Sequence, residues 1–393
     1  MDEVFLLLFF QKKKAFLPPP QTALLSPPHA KGNAAMNIAD LDTPALLVDL
    51  DIMEANIARA AKTCRDAGVN WRPHIKGQKT PEIVKLEIAA GAIGATCAKL
   101  GEAEIMAAAG ITDLLIANQI VGSPKIARLI ALLDHADVKV AVDSTANANA
   151  LGAAAAQAGK TLGVLIEVNT GMNRAGTEPG DATVALARHI AATPGLKLRG
   201  IMGWEAHTVA IQDPAEKQAA IAAAIARLVA TAQAIRAAGI PCEIVSCGGT
   251  GSYPYCAQQP GVTEIQAGGL IFSDVMYRRR FNLDFPQALT ILATVTSRPT
   301  PTRVILDAGK KAMSSDGAVP EPIGLAASKP VALSAEHTTV ILDTATNTPA
   351  VGDKVQFVVG YSDTTVHLHE WIHAHRNGQV EQSWSVQARG RIS

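Results

Sequence analysis

From residue 70 onward, short runs of apolar or β-branched residues alternate with longer Ala-rich stretches. The apolar runs lie near 70–75, 93–97, 113–117, 138–142, 162–168, 197–203, 242–246 and 262–266, and most end in Gly, Asn, Asp or Ser. Runs this short and apolar predict strands. The stretches between them, among them 101–109, 123–133, 146–158 and 214–238, hold good helix formers with few interruptions and predict helices. Eight such units in series predict an α/β fold, a (β/α)8 TIM barrel rather than a doubly wound open sheet. No GxGxxG follows the first strand, so the dinucleotide-binding reading lacks its fingerprint.

The pattern changes at both flanks. Leu41–Leu50 reads as one more strand, with a helix over Asp51–Ala67. Beyond about residue 286 the long helical stretches stop, and strands are predicted at Leu289–Ser297, Arg303–Leu306, Thr338–Leu342, Lys354–Val359 and Thr365–His369. The expected division is an extension over 1–36, a barrel domain over 37–285 and a β-rich domain over 286–393. In the extension, the apolar run Val4–Phe10 is too short to span a bilayer. Its basic triplet Lys12–Lys14 follows that run, whereas a secretory signal places its charge first. Two proline clusters predict an extended segment. The plainest account is a start assigned upstream of the natural one, Met36.

Composition narrows the function. Lys+Arg 35 against Asp+Glu 35 leaves no charge excess to attract nucleic acid or an anionic membrane. The low aromatic share, 4% beside 48% hydrophobic residues, reflects an excess of Ala that suits packed helices and not membrane spans. Five cysteines form no CxxC pair, and their odd number fits a reduced, cytoplasmic protein with buried thiols.

In a barrel, functional groups collect at the carboxy-terminal ends of strands. The first strand delivers His74 and Lys76, the second Cys97 and Lys99, and the third Asn118 and Gln119. The fifth is followed by Asn169, Asn173 and Arg174, and the sixth by Trp204, Glu205 and His207. The seventh ends in Ser246, Cys247, Gly248, Gly249, Thr250, Gly251 and Ser252. Barrel enzymes often bind phosphate after strands seven and eight through backbone N–H groups, and this loop lies there. It lacks the GK[ST] ending of a nucleotide P-loop. A desolvated lysine facing a phosphate loop is what holding pyridoxal 5'-phosphate requires, because its amine bonds the cofactor's carbonyl carbon.

At these residues the chain resembles the D-threonine aldolase/D-serine dehydratase family of fold-type III pyridoxal-phosphate enzymes, distant relatives of alanine racemase. The likeness runs from about Leu41 to Arg391. It rests on Thr43–Ala45, Val48–Asp51, Arg72–Lys76, Cys97–Glu104, Asn173–Gly176, Gly248–Gly251, Asp307–Gly309, Glu336–His337 and Ala388–Gly390. The resemblance implies a head-to-tail homodimer of barrel and β domain, with Lys76 bonded to the cofactor. It also implies Arg174 at the cofactor's phenolic oxygen and Ser246, Gly248, Gly249, Thr250 and Gly251 at its phosphate. Trp204 stands where relatives usually carry a tyrosine.

One departure concerns metal. Relatives carry a His-x-Asp or His-x-Cys pair in the second domain as ligands for a divalent ion, and this chain has Tyr361-Ser362-Asp363. A phenol is a poor ligand unless ionised, and its reference pKa is near ~10. If 361–369 form one strand, Asp363, His367 and His369 share a face and could rebuild a site for Mn, Mg or Zn. The plainer account makes His367, His369, His373 and His375 an incidental polar cluster.

The resulting expectation is a pyridoxal-phosphate lyase acting on a small D-β-hydroxy-amino acid, a retro-aldol cleavage to glycine and an aldehyde. His74 and His207 are the candidate bases. The alternatives are D-serine or 3-hydroxy-D-aspartate dehydration, amino-acid racemisation and a non-catalytic pyridoxal-phosphate carrier.

Overall fold

Eight parallel strands form the first of two sheets, in the order Asn70–Trp71, Glu264–Ile265, Ile244–Cys247, Leu196–Met202, Leu162–Glu167, Asp137–Val142, Asp113–Gln119 and Ala95–Cys97. The ring closes through Ile93 N to Trp71 O (2.9 Å), Thr96 N to Pro73 O (2.9 Å) and a parallel bridge between His74 and Thr96. The computed structural model describes residues 36–393. The expectations for the preceding extension lie outside those residues.

Helices Leu100–Ala108, Ser123–Leu132, Thr145–Gln157, Asp181–Ala192 and Pro214–Ala237 connect successive strands. Pro214–Ala237 is long and apolar enough to cross a bilayer. Its Ile221, Ile225, Leu228 and Ile235 are buried, and it packs on the sixth and seventh barrel strands. All five cysteines are free and buried.

Inside the barrel the pleat alternates two kinds of filling. Leu115, Ala141, Leu165 and Met202 form a small apolar cluster. Around it runs a charged network. The buried Arg72 donates to Glu264 (2.9 Å) and Asp113 (2.7 Å), and Lys139 donates to Asp113 (2.5 Å). Glu264 in turn accepts from Ser246 Oγ at 2.7 Å, and Ser246 accepts from Gln266 at 2.9 Å. Buried charges survive when paired and hydrogen-bonded in this way.

The second sheet is not confined to the carboxy-terminal segment. Ala45–Asp49 lies between Leu289–Thr300, antiparallel to it, and Trp371–Arg376, parallel to it. Met36–Asn37 pairs with Gln379–Ser385 at the edge. The expected boundaries at 37 and 286 therefore cut across one sheet, whose long-range pairing local pattern cannot reveal. Trp371–Arg376 and Gln379–Ser385 are strands that the hydrophobic pattern did not announce.

Thr365–His369 is not a strand. Two 3-10 turns, Ser362–Thr364 and Val366–Leu368, occupy that stretch. Thr365 Oγ1 donates to Tyr361 O at 2.8 Å, and Ser362 donates N–H and O–H to Asp274 at 2.9 Å each. Such side-chain bonds offer the backbone an alternative to a strand ladder. The expected common face of residues 361–369 therefore does not form.

Candidate active site

A cavity of about 580 Å³ opens at the carboxy-terminal ends of the barrel strands. Lys76 enters it from the 3-10 turn Ile75–Gly77 that follows the first strand. Its Nζ lies 3.3 Å from Asp363 Oδ2 and 5.2 Å from the centre of the Trp204 ring. The Arg174 guanidinium lies 5.2 Å from the same centre, so one indole faces two cations. Arg174 is 3.5 Å from Glu167, which also accepts from Gln119 at 2.6 Å. The competing lysines are placed otherwise. Lys79 is paired with Glu102, and Lys99 precedes helix Leu100–Ala108 without lining the cavity.

Two glycine-bearing turns face this amine. Gly248 has φ +80, and a β-carbon on Gly249 would stand 2.6 Å from Trp204 Nε1. A β-carbon on Gly251 would meet Val209 at 2.9 Å. Among the described residues, the amides of Thr250 and Gly251 have no hydrogen-bond acceptor within the chain. After the eighth strand come Gly268 and Gly269, where β-carbons would strike His74 O at 2.2 Å and the Tyr277 hydroxyl at 2.4 Å. Glu205 braces the first turn from below, fully buried and accepting from Ser252 Oγ. Two glycine-bearing turns after strands seven and eight, with free amides and a lysine in the same cavity, fit a phosphorylated aldehyde cofactor.

Several expected residues stand elsewhere. Ser246 lies one pleat below the turn, its hydroxyl donating to Glu264, and it does not line the cavity. His207 is exposed on the turn Ala206–Thr208 with its ring beside Gly171, outside the cavity lining. His74 lines the cavity, and its Nδ1 accepts from Lys76 N at 3.4 Å. Burial and the charges of Lys76, Lys79 and Arg174 hold its imidazole well below the usual pKa, against a backbone bond with Thr96. A neutral ring so held is a poor base.

The metal expectation also changes. Tyr361 donates its hydroxyl to Asp363 Oδ2 at 2.7 Å. Burial and the Asp363 charge push the phenol above its ordinary range, so it stays protonated. His369 Nε2 bonds Ala312 O at 2.6 Å, His367 is exposed on its 3-10 turn, and neither lines the cavity. His373 bonds Ser383 at 2.8 Å, and His373 and His375 belong to strand Trp371–Arg376. At Asp363 this leaves one carboxylate already occupied by a phenol and an ammonium. That donor set does not fit a divalent cation.

Residues that the sequence did not single out complete the site: Gly268 and Gly269, the buried Tyr277 and Gln266. The Gly268-Gly269 doublet directly after the eighth strand was the available signal. Tyr277 carried none, being one residue of a seven-residue helix, Val275–Phe281.

A family model described as "Alanine racemase, N-terminal domain" matches residues 48–275, and "Putative serine dehydratase domain" matches residues 288–375. The chain is 36% identical over 371 residues to a D-threonine aldolase from Arthrobacter sp, covering 93% of this chain and 97% of that one. It is 34% identical over 366 residues to a 3-hydroxy-D-aspartate aldolase from Paracoccus denitrificans, covering 91% and 94%. The chain belongs to the D-threonine aldolase/D-serine dehydratase family. Among solved structures of this family, D-threonine aldolase from Filomicrobium marinum superposes with a TM-score of 0.89 at 34% identity, covering 93% of this chain and 100% of that one. D-threo-3-hydroxyaspartate dehydratase from Delftia sp. HT23 gives 0.78 at 30% identity, covering 89% and 98%.

Proposed function

We propose that the protein is a pyridoxal-phosphate-dependent lyase that cleaves a small D-configured β-hydroxy-amino acid between Cα and Cβ. The observation that carries this reading is the Lys76 amine, set between the Trp204 face and a carboxylate and opposite two glycine turns. Lys76 would bond the cofactor's carbonyl carbon, and Thr250 and Gly251 with Gly268 and Gly269 would offer amides to its phosphate. Trp204 would lie against its ring, and Arg174, steadied by Glu167, would meet its phenolic oxygen. The bound cofactor supplies an electron sink for the breaking bond; the protein selects which bond breaks by orienting it.

Two measurements test the reading. Borohydride should fix the cofactor on Lys76, and Lys76→Ala should lose the visible absorbance of the linked cofactor. An unchanged spectrum would move the link to another lysine. A product assay with D-threonine, D-serine and 3-hydroxy-D-aspartate should yield glycine and the matching aldehyde. Ammonia with a keto acid would instead put the protein with the dehydrating relatives. The reading carries a homodimer with it, which the mass in solution tests against the 41.0 kDa chain.

A further inference from the structure

Two carboxylates line the cavity, and only one has a structural task. Glu167 accepts from Gln119 with one oxygen and faces Arg174 with the other. Asp363 is partnered on one oxygen only. Its Oδ1 is buried without a hydrogen bond, against Gly77, where a β-carbon would come within 2.5 Å. Its Oδ2 receives the Tyr361 hydroxyl at 2.7 Å and the Lys76 ammonium at 3.3 Å. When the substrate's own amine takes the place of Lys76 on the cofactor, Lys76 leaves as a neutral amine, which does not neutralise Oδ2 as the ammonium at 3.3 Å does. A carboxylate oxygen then faces the reacting amino acid, held in aim by one phenol. Of the two histidines expected as bases, His207 lies outside the cavity, and His74 has its Nδ1 taken up by the Lys76 backbone N–H at 3.4 Å.

We propose that Asp363, positioned by Tyr361, is the base that accepts the substrate's β-hydroxyl proton, without a divalent cation at this place. This rests on the lyase reading above. The O–H proton passes to Asp363 Oδ2 and the oxygen's electron pair forms the aldehyde C=O. The Cα–Cβ bond breaks with its pair left at Cα, which takes a proton from solvent as glycine forms, while Asp363 returns its proton to solvent; the cofactor would supply the electron sink. Atoms and charge balance with no ion. Tyr361 acts through Asp363: its hydroxyl occupies the lone pair that would otherwise turn from the substrate.

The test uses cofactor-loaded enzyme and two readouts. One is cleavage of D-threonine. The other is exchange of the glycine α-hydrogen with deuterated solvent, which needs Lys76 and the cofactor but no β-hydroxyl base. Asp363→Asn should lower kcat for cleavage by about 10²–10⁴-fold, the usual contribution of a positioned base, and still exchange glycine. Tyr361→Phe should lower kcat while KM and exchange hold. Elemental analysis should find no stoichiometric ion in the wild type, chelator should leave its cleavage unchanged, and Tyr361→His should acquire Mn²⁺. Cleavage undiminished in Asp363→Asn overturns the inference, as does exchange lost together with cleavage in Asp363→Asn and Asp363→Ala alike. So does a stoichiometric wild-type ion that Asp363→Ala releases. A wild type that exchanges glycine but cleaves no β-hydroxy-amino acid overturns the lyase reading itself and the inference with it.

Discussion

Gly249 shows how little room one position leaves. A methyl group there would come within 2.6 Å of Trp204 Nε1, the wall against which both Lys76 and Arg174 lie. Overlap of that kind typically costs about 1–3 kcal/mol, because a packed ring can shift only by straining its neighbours. Gly249→Ala should therefore weaken cofactor binding by about tenfold or more, measured by absorbance titration of the stripped enzyme. The same change at Gly239, which strains a left-handed backbone (φ +80) but meets nothing within 4 Å, controls for a loss of stability away from the site. If Gly249→Ala binds cofactor as tightly as wild type, Trp204 is not the ring's wall. Membership of one motif does not mean one place. Ser246 and Thr250 read as one polar turn in sequence, yet Ser246 lies within the strand Ile244–Cys247, bonded to Glu264, and Thr250 lies in the turn beyond it, at the cavity.

The element behind the site is the helix Pro81–Ala89, which buries Glu87 completely. Gln78, two residues after Lys76, donates to Glu87 Oε2 at 2.6 Å, while Oε1 has no hydrogen bond. Burial raises this carboxyl from 4.5 to about 8, and the Gln78 bond only partly opposes that. The folded protein thus keeps a proton that the unfolded chain releases between those values. Stability from this group is fully present below pH 4.5 and declines as pH rises towards 8. Glu87→Gln removes the titration and can still accept from Gln78. Relative to wild type it should gain stability from pH 5 to 8, by at most about 1.4 kcal/mol per unit in urea unfolding. A pH-independent difference would mean that Glu87 is ionised in the fold. At this scale much was legible. Barrel strands and helices were readable because β-branched runs and Ala-rich stretches report their own conformation. Arg303–Leu306 was bounded as found, and the helix predicted over 214–238 ends one residue earlier. Thr365–His369 was not, because its alternation is broken by hydrogen bonds to Asp274 and Tyr361, partners that a local window does not weigh. Lys76, Arg174 and the glycine turn were legible from their places at strand ends. The Tyr277–Tyr361 contact and the Lys76–Asp363 pair depend on segments distant in sequence.

Those contacts place residues 36–393 in one compact unit rather than two adjoining ones. Asp274, buried at the head of helix Val275–Phe281, holds Ser362 through two bonds and thereby sets Tyr361 and Asp363 over the barrel mouth. The strand Ala45–Asp49 does the corresponding work from the other end of the chain. Leu46, Leu47 and Val48 are fully buried, and the strand joins Leu289–Thr300 to Trp371–Arg376. Removing it would leave the edges of Leu289–Leu292 and His373–His375 unpaired, each a template for association between chains. It would also strip three large apolar side chains from the core, each contributing about 1.5–3 kcal/mol when fully buried. A chain beginning at Met36 keeps both of these pairings and should be soluble and fully active. A chain beginning at Leu50 keeps all eight barrel strands and should nevertheless aggregate or fail to retain cofactor. Gel filtration and cofactor absorbance of the two truncations decide the matter. A soluble, cofactor-loaded chain beginning at Leu50 would show that the second sheet closes without its amino-terminal strand. Failure of the chain beginning at Met36 would assign a structural task to the residues before it.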